Sequence, residues 1–457
     1  MGKISSNSFL NKSLIPISIF SSLNYKLRIS LIVYVVLAII VLDTTLNQNV
    51  QFRLHLSNWG LNLVLFFVIS VIVLVGQSCI LEFVRQKSSH IRKKVAELDY
   101  SYQIVSLAQY LIIAIFVFVL VEIIAIKQYP TISLTIVTAV TYGLNIGLMG
   151  IFTNIFFSWY RSNKNSIVVL LYGLSFAAVV IASAIFLTGS FYRFIEKPFY
   201  ITPDTQPSIK LEPGSLLYQL GKMYHYADIV SFLLKWVATA LLLYHYSEKM
   251  GKAKYWILIG LPLAYFAGTY LDDYNIYEPQ TESEELYWDL YTSLNSTAGG
   301  VLFFIGFVIA ARHFHENLAI KDYMTICGLG FLLFFSAGQS TLANTLYPPF
   351  GLATMSLYGL STYMILLGLY SSAISVSEDI ELRKSIKKST LRESKFLDSM
   401  GTAHMEKELM KRMVVKARKE QKDLAQESGG INSSLTEEDI LNIVKEADKE
   451  VKEKRGA

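Results

Sequence analysis

Charged residues and cysteines are scarce in this sequence. Asp, Glu, Lys and Arg make up 17% of the 457 residues, whereas a soluble protein carries about a quarter. The two cysteines, Cys79 and Cys327, both fall in apolar runs, so we expect small buried side chains and no disulfide framework. The shortage of charge excludes an ordinary soluble domain. The net charge of +5 does not predict nucleic-acid binding, because its location along the chain explains it better.

Familiar catalytic and phosphate-binding motifs are missing as well. The sequence has no Gly-x-Gly-Asp, no His-Glu-x-x-His, no Gly-x-Ser-x-Gly and no Gly-x-x-x-x-Gly-Lys. His313 and His315 form the one local histidine cluster, but this spacing places the two rings on nearly opposite faces of a helix. His404 is followed by no nucleotide-binding loop, and we expect it on the surface of a tail helix. The absences favour a non-enzymatic protein with no metal and no cofactor.

Long apolar runs dominate what is present. A helix needs about 20 residues to cross a hydrocarbon core of ~30 Å, and the runs lack the alternation of a membrane β-barrel. We therefore predict an all-α integral membrane protein with about ten transmembrane helices. The first, seventh and eighth runs are the shortest, which leaves open whether each crosses fully. The ten runs are Ile29–Leu46, Gly60–Val84, Gln103–Ile126, Thr131–Trp159, Ile167–Gly189, Ile229–Tyr246, Tyr255–Leu271, Thr297–Ala311, Asp322–Leu346 and Phe350–Ser375.

The distribution of Lys and Arg predicts the orientation. With the amino terminus inside, 34 of the 41 basic residues fall on the inner side, which is where cytoplasmic segments carry their excess. We therefore expect a cell-membrane protein with both termini in the cytoplasm. Its parts are a cytoplasmic N-terminal segment at 1–28, a transmembrane domain at 29–376 and a helical cytoplasmic tail at 377–457. The long outer loops are 190–228 and the acidic, aromatic 272–296.

The tail begins with a basic segment. Residues 383–422 hold 13 Lys or Arg against 5 Asp or Glu. Each basic residue near an anionic membrane surface contributes about 1 kcal/mol. We expect this segment to lie against the lipid bilayer as a helix, with anionic lipid headgroups and a cytoplasmic protein as its partners.

Two ionisable residues stand out within the spans, Glu122 and Lys235. Their charges are opposite and their depths below the outer face are similar, and an unpaired charge in hydrocarbon is costly. We predict that they pair; the alternative is that each side chain extends separately to the headgroups.

A polar stripe marks the ninth run. Ser336, Ser340 and Asn344 recur every four residues and so line one helical face, with Gln339 beside them. Such a stripe either faces a cavity or makes hydrogen bonds between helices. Small residues predict close helix packing: Gly143 with Gly147 in the fourth run, and Gly173 with Ala177 and Ala178 with Ala182 in the fifth.

Three stretches carry a resemblance to a known family. They are Leu241–Gly251 (LLLYHYSEKMG), Tyr347–Gly351 (YPPFG), and Tyr370–Asp379 (YSSAISVSED) continuing into Leu382–Ile386 (LRKSI). Together they resemble an uncharacterised archaeal family of multi-pass membrane proteins over about residues 225–410. The resemblance implies a membrane location and no activity.

The sequence thus favours a receptor-like or scaffold protein that couples its outer loops to the tail. The alternative is a small-solute transporter.

Overall fold

The structure is a computed structural model, and it describes residues 25–48, 59–162, 164, 166–196, 198–205, 214–244, 251–273, 281–312, 318–338, 347–379 and 392–427. These ranges are almost entirely helical. Their helices are α1 Tyr25–Gln48, α2 Trp59–Lys94, α3 Ala96–Ile126, α4 Thr131–Ser162, α5 Ile167–Glu196, α6 Leu216–Leu243, α7 Lys252–Asp273, α8 Glu282–Arg312, α9 Leu318–Gly338, α10 Leu352–Ser356, α11 Tyr358–Glu378 and α12 Arg392–Glu427.

Seven stretches of helix in the described part are long and apolar enough to cross a membrane. They are α2 to α6, α9, and α10 together with α11. Shorter apolar stretches lie in α1, at Val33–Asn47, and in α8, at Ala298–Ile309. The predicted class, an all-α protein with membrane-spanning helices, is confirmed at this level.

The helix pair α10–α11 occupies the centre of the bundle. Every residue from Gly351 to Ile374 is buried, and the pair is surrounded by α1, α2, α3, α4, α9 and α12. Two prolines, Pro348 and Pro349, precede α10 and cannot donate backbone hydrogen bonds, which keeps the chain extended there. The run predicted as one helix over Phe350–Ser375 is instead two helices that meet at Leu357.

Close helix packing occurs at glycines other than the predicted pair. A Cβ atom on Gly368 of α11 would lie 2.6 Å from the Tyr323 carbonyl oxygen of α9. Around Gly143 and Gly147, an added Cβ would meet nothing within 4 Å in the part of the chain that the structure describes, so their predicted packing role is wrong for the described helices. Gly173 does approach α4, since its Cβ would lie 3.2 Å from that of Phe156.

A two-stranded ribbon connects two helix ends. Strand β1, Tyr129–Pro130, pairs antiparallel with β2, Tyr200–Ile201. Tyr129 lies opposite Ile201, and the Thr131 amide donates to the Phe199 carbonyl at 2.9 Å. The ribbon fixes the start of α4 next to the segment that follows α5.

The first half of α12 packs on the bundle. Phe396, Leu397, Met400 and Ala403 are buried, and α12 contacts α4, α5, α6 and α11. The apolar face of this part of the tail therefore packs on protein, which was not predicted from the sequence. That residues 383–422 also meet the inner leaflet stays a prediction. Most side chains beyond Met405 in the described part of α12 are exposed or half-buried.

His404 is also buried, with 7% of its surface exposed. Its ring meets that of Tyr370 edge-on at 5.5 Å. The predicted surface position of His404 is wrong, because α12 turns this residue towards α11.

Candidate functional site

A buried lysine lies at the junction of α6 and α9. Only 2% of Lys235 is exposed, and its Nζ donates to Ser231 Oγ, one turn earlier, at 2.8 Å. The rings of Phe334 and Phe335 on α9 lie 5.2 and 5.1 Å from Nζ. A hydroxyl and two aromatic faces stabilise an ammonium that hydrocarbon alone would disfavour.

Asp228 supplies the opposite charge. It lies seven residues before Lys235, on the same face of α6. The two side chains attract each other, and Asp228 also interacts electrostatically with Tyr142 and Tyr358. Asp228 and Lys235, both in the described part of the chain, form no direct ion pair within 4.0 Å.

A second polar group joins three helices beside this pair. Asn145 on α4 donates from Nδ2 to Ser183 Oγ on α5 at 2.6 Å. Its Oδ1 accepts from Thr362 Oγ1 on α11 at 2.7 Å. The Tyr358 hydroxyl is 3.4 Å from Nδ2, and the Tyr358 ring stacks on Phe334 at 4.8 Å. The Asn145 group therefore adjoins the ring that covers Lys235.

A chain of contacts leads from Lys235 to the tail helix. Thr239 Oγ1 donates to the Lys235 carbonyl at 2.8 Å. The Tyr172 hydroxyl is 2.7 Å from Thr239 Oγ1, and Tyr172 must donate because the threonine hydrogen is already used. The Tyr172 ring lies 5.8 Å from that of Phe396 on α12. Lys235 is thus connected to the tail helix through an unbroken series of side-chain contacts.

Asp43 forms a separate polar contact on the central helix. It is completely buried. Its Oδ1 accepts from the Gly351 amide at 3.0 Å, and its Oδ2 accepts from the Thr354 amide at 3.1 Å and from the Thr354 hydroxyl at 2.6 Å. Asp43 of α1 therefore caps the start of α10, where backbone amides have no helical acceptor.

A cavity of about 540 Å³ lies between α11 and α12. Its lining is mostly polar and carries both signs of charge. It includes Ser377, Glu378, His404, Glu408, Lys411 and Arg412.

The predicted pair of Glu122 with Lys235 is wrong. No ion pair joins these two described residues; Lys235 contacts Ser231 and the phenylalanines of α9 instead. Glu122 lies on α3, which packs against α2, α4 and α11, whereas α6 packs chiefly on α5. Equal depth in a membrane does not place two helices side by side.

The polar stripe of the ninth run is only partly described. Ser336 is buried and donates to the Leu332 carbonyl of its own helix at 2.9 Å. Gln339, Ser340 and Asn344 lie outside the described residues, as do His313 and His315. No group of three or more His, Cys, Asp or Glu side chains that could hold a metal occurs in the ranges given above.

Sequence reasoning missed Asp43, Asp228, Asn145 and Tyr172. Asp43 lies inside the first apolar run, where a carboxylate is itself a signal. The seven-residue spacing from Asp228 to Lys235 was also visible. Asn145 lies between the two glycines of the fourth run, and Tyr172 carries no local signal at all.

No protein-family model matches the chain, and no match is found among curated proteins or solved structures.

Proposed function

We propose that the protein is a multi-pass cell-membrane protein with ten spans and both termini in the cytoplasm. Seven candidate spans and the apolar stretches of α1 and α8 support the proposal. The 34 basic residues on one side support the orientation. The archaeal resemblance adds a membrane location and stays a prediction.

Within that frame, we propose a non-enzymatic receptor-like or scaffold protein. The observation that supports it is the chain of contacts from Lys235 through Thr239 and Tyr172 to Phe396 of the tail helix. A change in the charge of Lys235 or Asp228, or the binding of a ligand beside them, displaces α6. The contact between Tyr172 and Phe396 then transmits that displacement to α12. Coupling of this kind requires a structural element with two conformations, whose equilibrium is shifted both by the polar interior and by the cytoplasmic partner. In this proposal that element is the tail helix.

The partners follow from the surface of the tail. A cytoplasmic protein binds the exposed part of α12 and the mixed-charge cavity beside it. Anionic lipid headgroups bind the basic residues of 383–422 that do not face the bundle. Opposite charges in the cavity suit a protein partner better than a simple anion.

Distance measurements between spin labels test the coupling. Labels at Arg161 and Lys419, both exposed, report the position of α12 in a variant without the native cysteines. We expect Lys235→Met and Tyr172→Phe to shift or broaden the distance distribution. Tyr100→Phe, at an exposed tyrosine of α3, is the control.

A distribution that is the same in all variants would remove the support for coupling. A thermal-shift screen of solutes, metals and lipids on the same protein identifies a ligand, since a compound that binds only the folded state must stabilise it.

A small-solute transporter is the second candidate. It is favoured by the break at Leu357 and by the buried carboxylate of Asp43 at the start of the short helix α10 that precedes the break, since transporters bind solutes at discontinuous helices. Uptake of a solute by proteoliposomes, lost in Asp43→Asn, would establish transport in place of reception.

A further inference from the structure

A narrow cavity of about 220 Å³ lies between the last turns of α5 and the first turns of α6. Two contacts give the register of the helices there. A Cβ atom on Gly189 would lie 3.9 Å from that of Leu220, and the rings of Phe186 and Tyr224 are 5.3 Å apart. The helices therefore run antiparallel, and Arg193 lies level with the first turn of α6, at the end of the cavity nearest the helix termini.

Most of the cavity wall is apolar and half-buried, so it stays open to the surroundings of the bundle. Its aliphatic and aromatic residues include Ile185, Phe186, Leu217 and Leu220. Glycine leaves room in the wall: in the described part of the chain, nothing lies within 4 Å of a Cβ placed on Gly221. The wall on α5 extends over residues 185–193, which is about 12 Å at a rise of 1.5 Å per residue. The cavity is therefore an apolar slot that runs along the helix axes.

The basic residues of the cavity are Arg193 and His225. A guanidinium is always charged in proteins, so Arg193 gives the slot a permanent positive charge at one end. Glu196 and Asp228 follow the two basic residues by about one helical turn and attract them. No carboxylate of the described residues lines the cavity itself.

The position of Arg193 matches the headgroup level of a membrane. It lies three residues before the end of α5, which is one of the candidate spans, and arginine near a helix end extends to the headgroups. Tyr192 beside it is 48% exposed, as is typical of aromatic residues at a membrane surface. The cavity thus has its charge at the headgroup level and its apolar wall one to two turns deeper.

We propose that this cavity binds an anionic phospholipid, with its phosphate on Arg193 and one acyl chain along the apolar wall. A guanidinium donates in a fork that matches phosphate oxygens. A water-soluble anion would leave the apolar wall without a partner, and the ammonium group of a zwitterionic headgroup would find no carboxylate on the described wall. The inference rests on the proposed membrane location and does not depend on the receptor-like role.

Photo-crosslinking of the full chain in nanodiscs of phosphatidylcholine tests the proposal. Two probes carry a diazirine in the same acyl chain, one with a phosphatidylglycerol and one with a phosphatidylcholine headgroup, and mass spectrometry locates the adducts. Phe186 and Leu220 report the cavity. Leu107, a residue of α3 with 72% of its surface exposed, reports random contact with lipid. Relative to Leu107, we expect the anionic probe to label the cavity about fivefold more than the zwitterionic one.

Three variants locate the preference. Arg193→Gln should remove most of it, and Arg193→Lys should keep part of it, since the charge remains. Lys222→Gln removes an exposed charge of α6 that does not line the cavity, and should keep the preference unchanged. Gly221→Leu places a side chain at the open wall and should lower the cavity adducts of both probes, because it takes the space of the acyl chain.

The wild type alone can overturn the proposal, so a poorly folding variant does not decide it. Equal labelling of the cavity by the two probes, relative to Leu107, would show a groove filled by any lipid. An unchanged preference in a folded Arg193→Gln would remove Arg193 as the phosphate ligand. Either result, with adducts present at Leu107, contradicts this inference and leaves the membrane location standing. A lack of adducts at Leu107 and in the cavity would contradict the membrane location as well.

Discussion

The hydroxyl of Thr354 lies 2.6 Å from the carboxylate of Asp43, a contact between the first described helix and the start of the central one. The two residues are 311 positions apart in the sequence. Together with the hydrogen bonds from the Gly351 and Thr354 backbone amides to the same carboxylate, this contact fixes where α10 begins. The start of the central helix therefore depends on a single side chain of α1.

Replacing Asp43 tests this dependence. Asp43→Ala should lower the free energy of unfolding in detergent by about 3 kcal/mol, because it leaves buried donors unsatisfied. Asp43→Asn keeps one acceptor oxygen and should fall between the wild type and Asp43→Ala. Asp204→Ala, at an exposed residue, is the control. Equal stability of the alanine and asparagine variants would contradict the capping role.

A double-mutant cycle tests the electrostatic partner of Lys235. Asp228→Asn and Lys235→Met should be non-additive in unfolding free energy, with a coupling of about 1 kcal/mol, because the two charges attract. The matched cycle of Glu122→Gln with Lys235→Met should be additive within about 0.5 kcal/mol. Coupling to Glu122 instead of Asp228 would reverse the assignment.

Truncation of the buried face of α12 tests the docking of the tail. Phe396→Ala removes a ring that contacts Tyr172 and should cost about 3 kcal/mol of packing. Trypsin should then cleave α12 faster, at lower protease concentration than in the wild type. Met413→Ala, at a residue with 41% of its surface exposed, should leave the cleavage rate unchanged. Similar rates for all three proteins would mean that the tail is not held by this face.

Glycine substitutions test the crossing of α9 and α11. Gly368→Ala would place a methyl group 2.6 Å from a backbone oxygen and should destabilise the protein by about 1–3 kcal/mol. Gly143→Ala meets open space and should be neutral or stabilise by about 0.5–1 kcal/mol, as alanine favours helix. Thermal unfolding of the two variants decides the comparison. Loss of stability in Gly143→Ala alone would place the close crossing at α4.

Cysteine accessibility in intact cells tests the orientation. A cysteine at Glu282 should react with a membrane-impermeant maleimide, whereas one at Lys94 should react only after the membrane is opened. The excess of basic residues around Lys94 is the reason. The opposite labelling pattern would place both termini outside.

The helices themselves were predictable, because long apolar runs need no knowledge of their neighbours. Each of the ten runs overlaps a helix of the structure. The break at Leu357 was not predictable, since no glycine or proline stands there and only the surroundings determine it. The partner of Lys235 was missed for a similar reason. The depth of a residue in the membrane follows from its place in the apolar run, but which helices lie side by side depends on how the bundle packs.

The packing of the tail helix on the bundle was partly predictable from the sequence. Phe396, Leu397, Met400 and Ala403 follow the spacing of one helical face. The excess of basic charge over 383–422 predicted a contact with the inner leaflet, and that reasoning did not consider a second contact of the apolar face with the bundle. Local composition describes what a helix can contact, while the available protein surface decides what it does contact.

The position of α10–α11 also bears on how the protein is made. Gly351–Ile374 of this pair is buried throughout, yet in chain order the pair follows the other nine helices that precede the tail. Until α11 has been synthesised, Asn145 of α4 lacks the Thr362 hydroxyl that donates to its Oδ1. Membrane insertion of the early helices and their final assembly are therefore separate events, and the second cannot be completed until residue 378 has been synthesised.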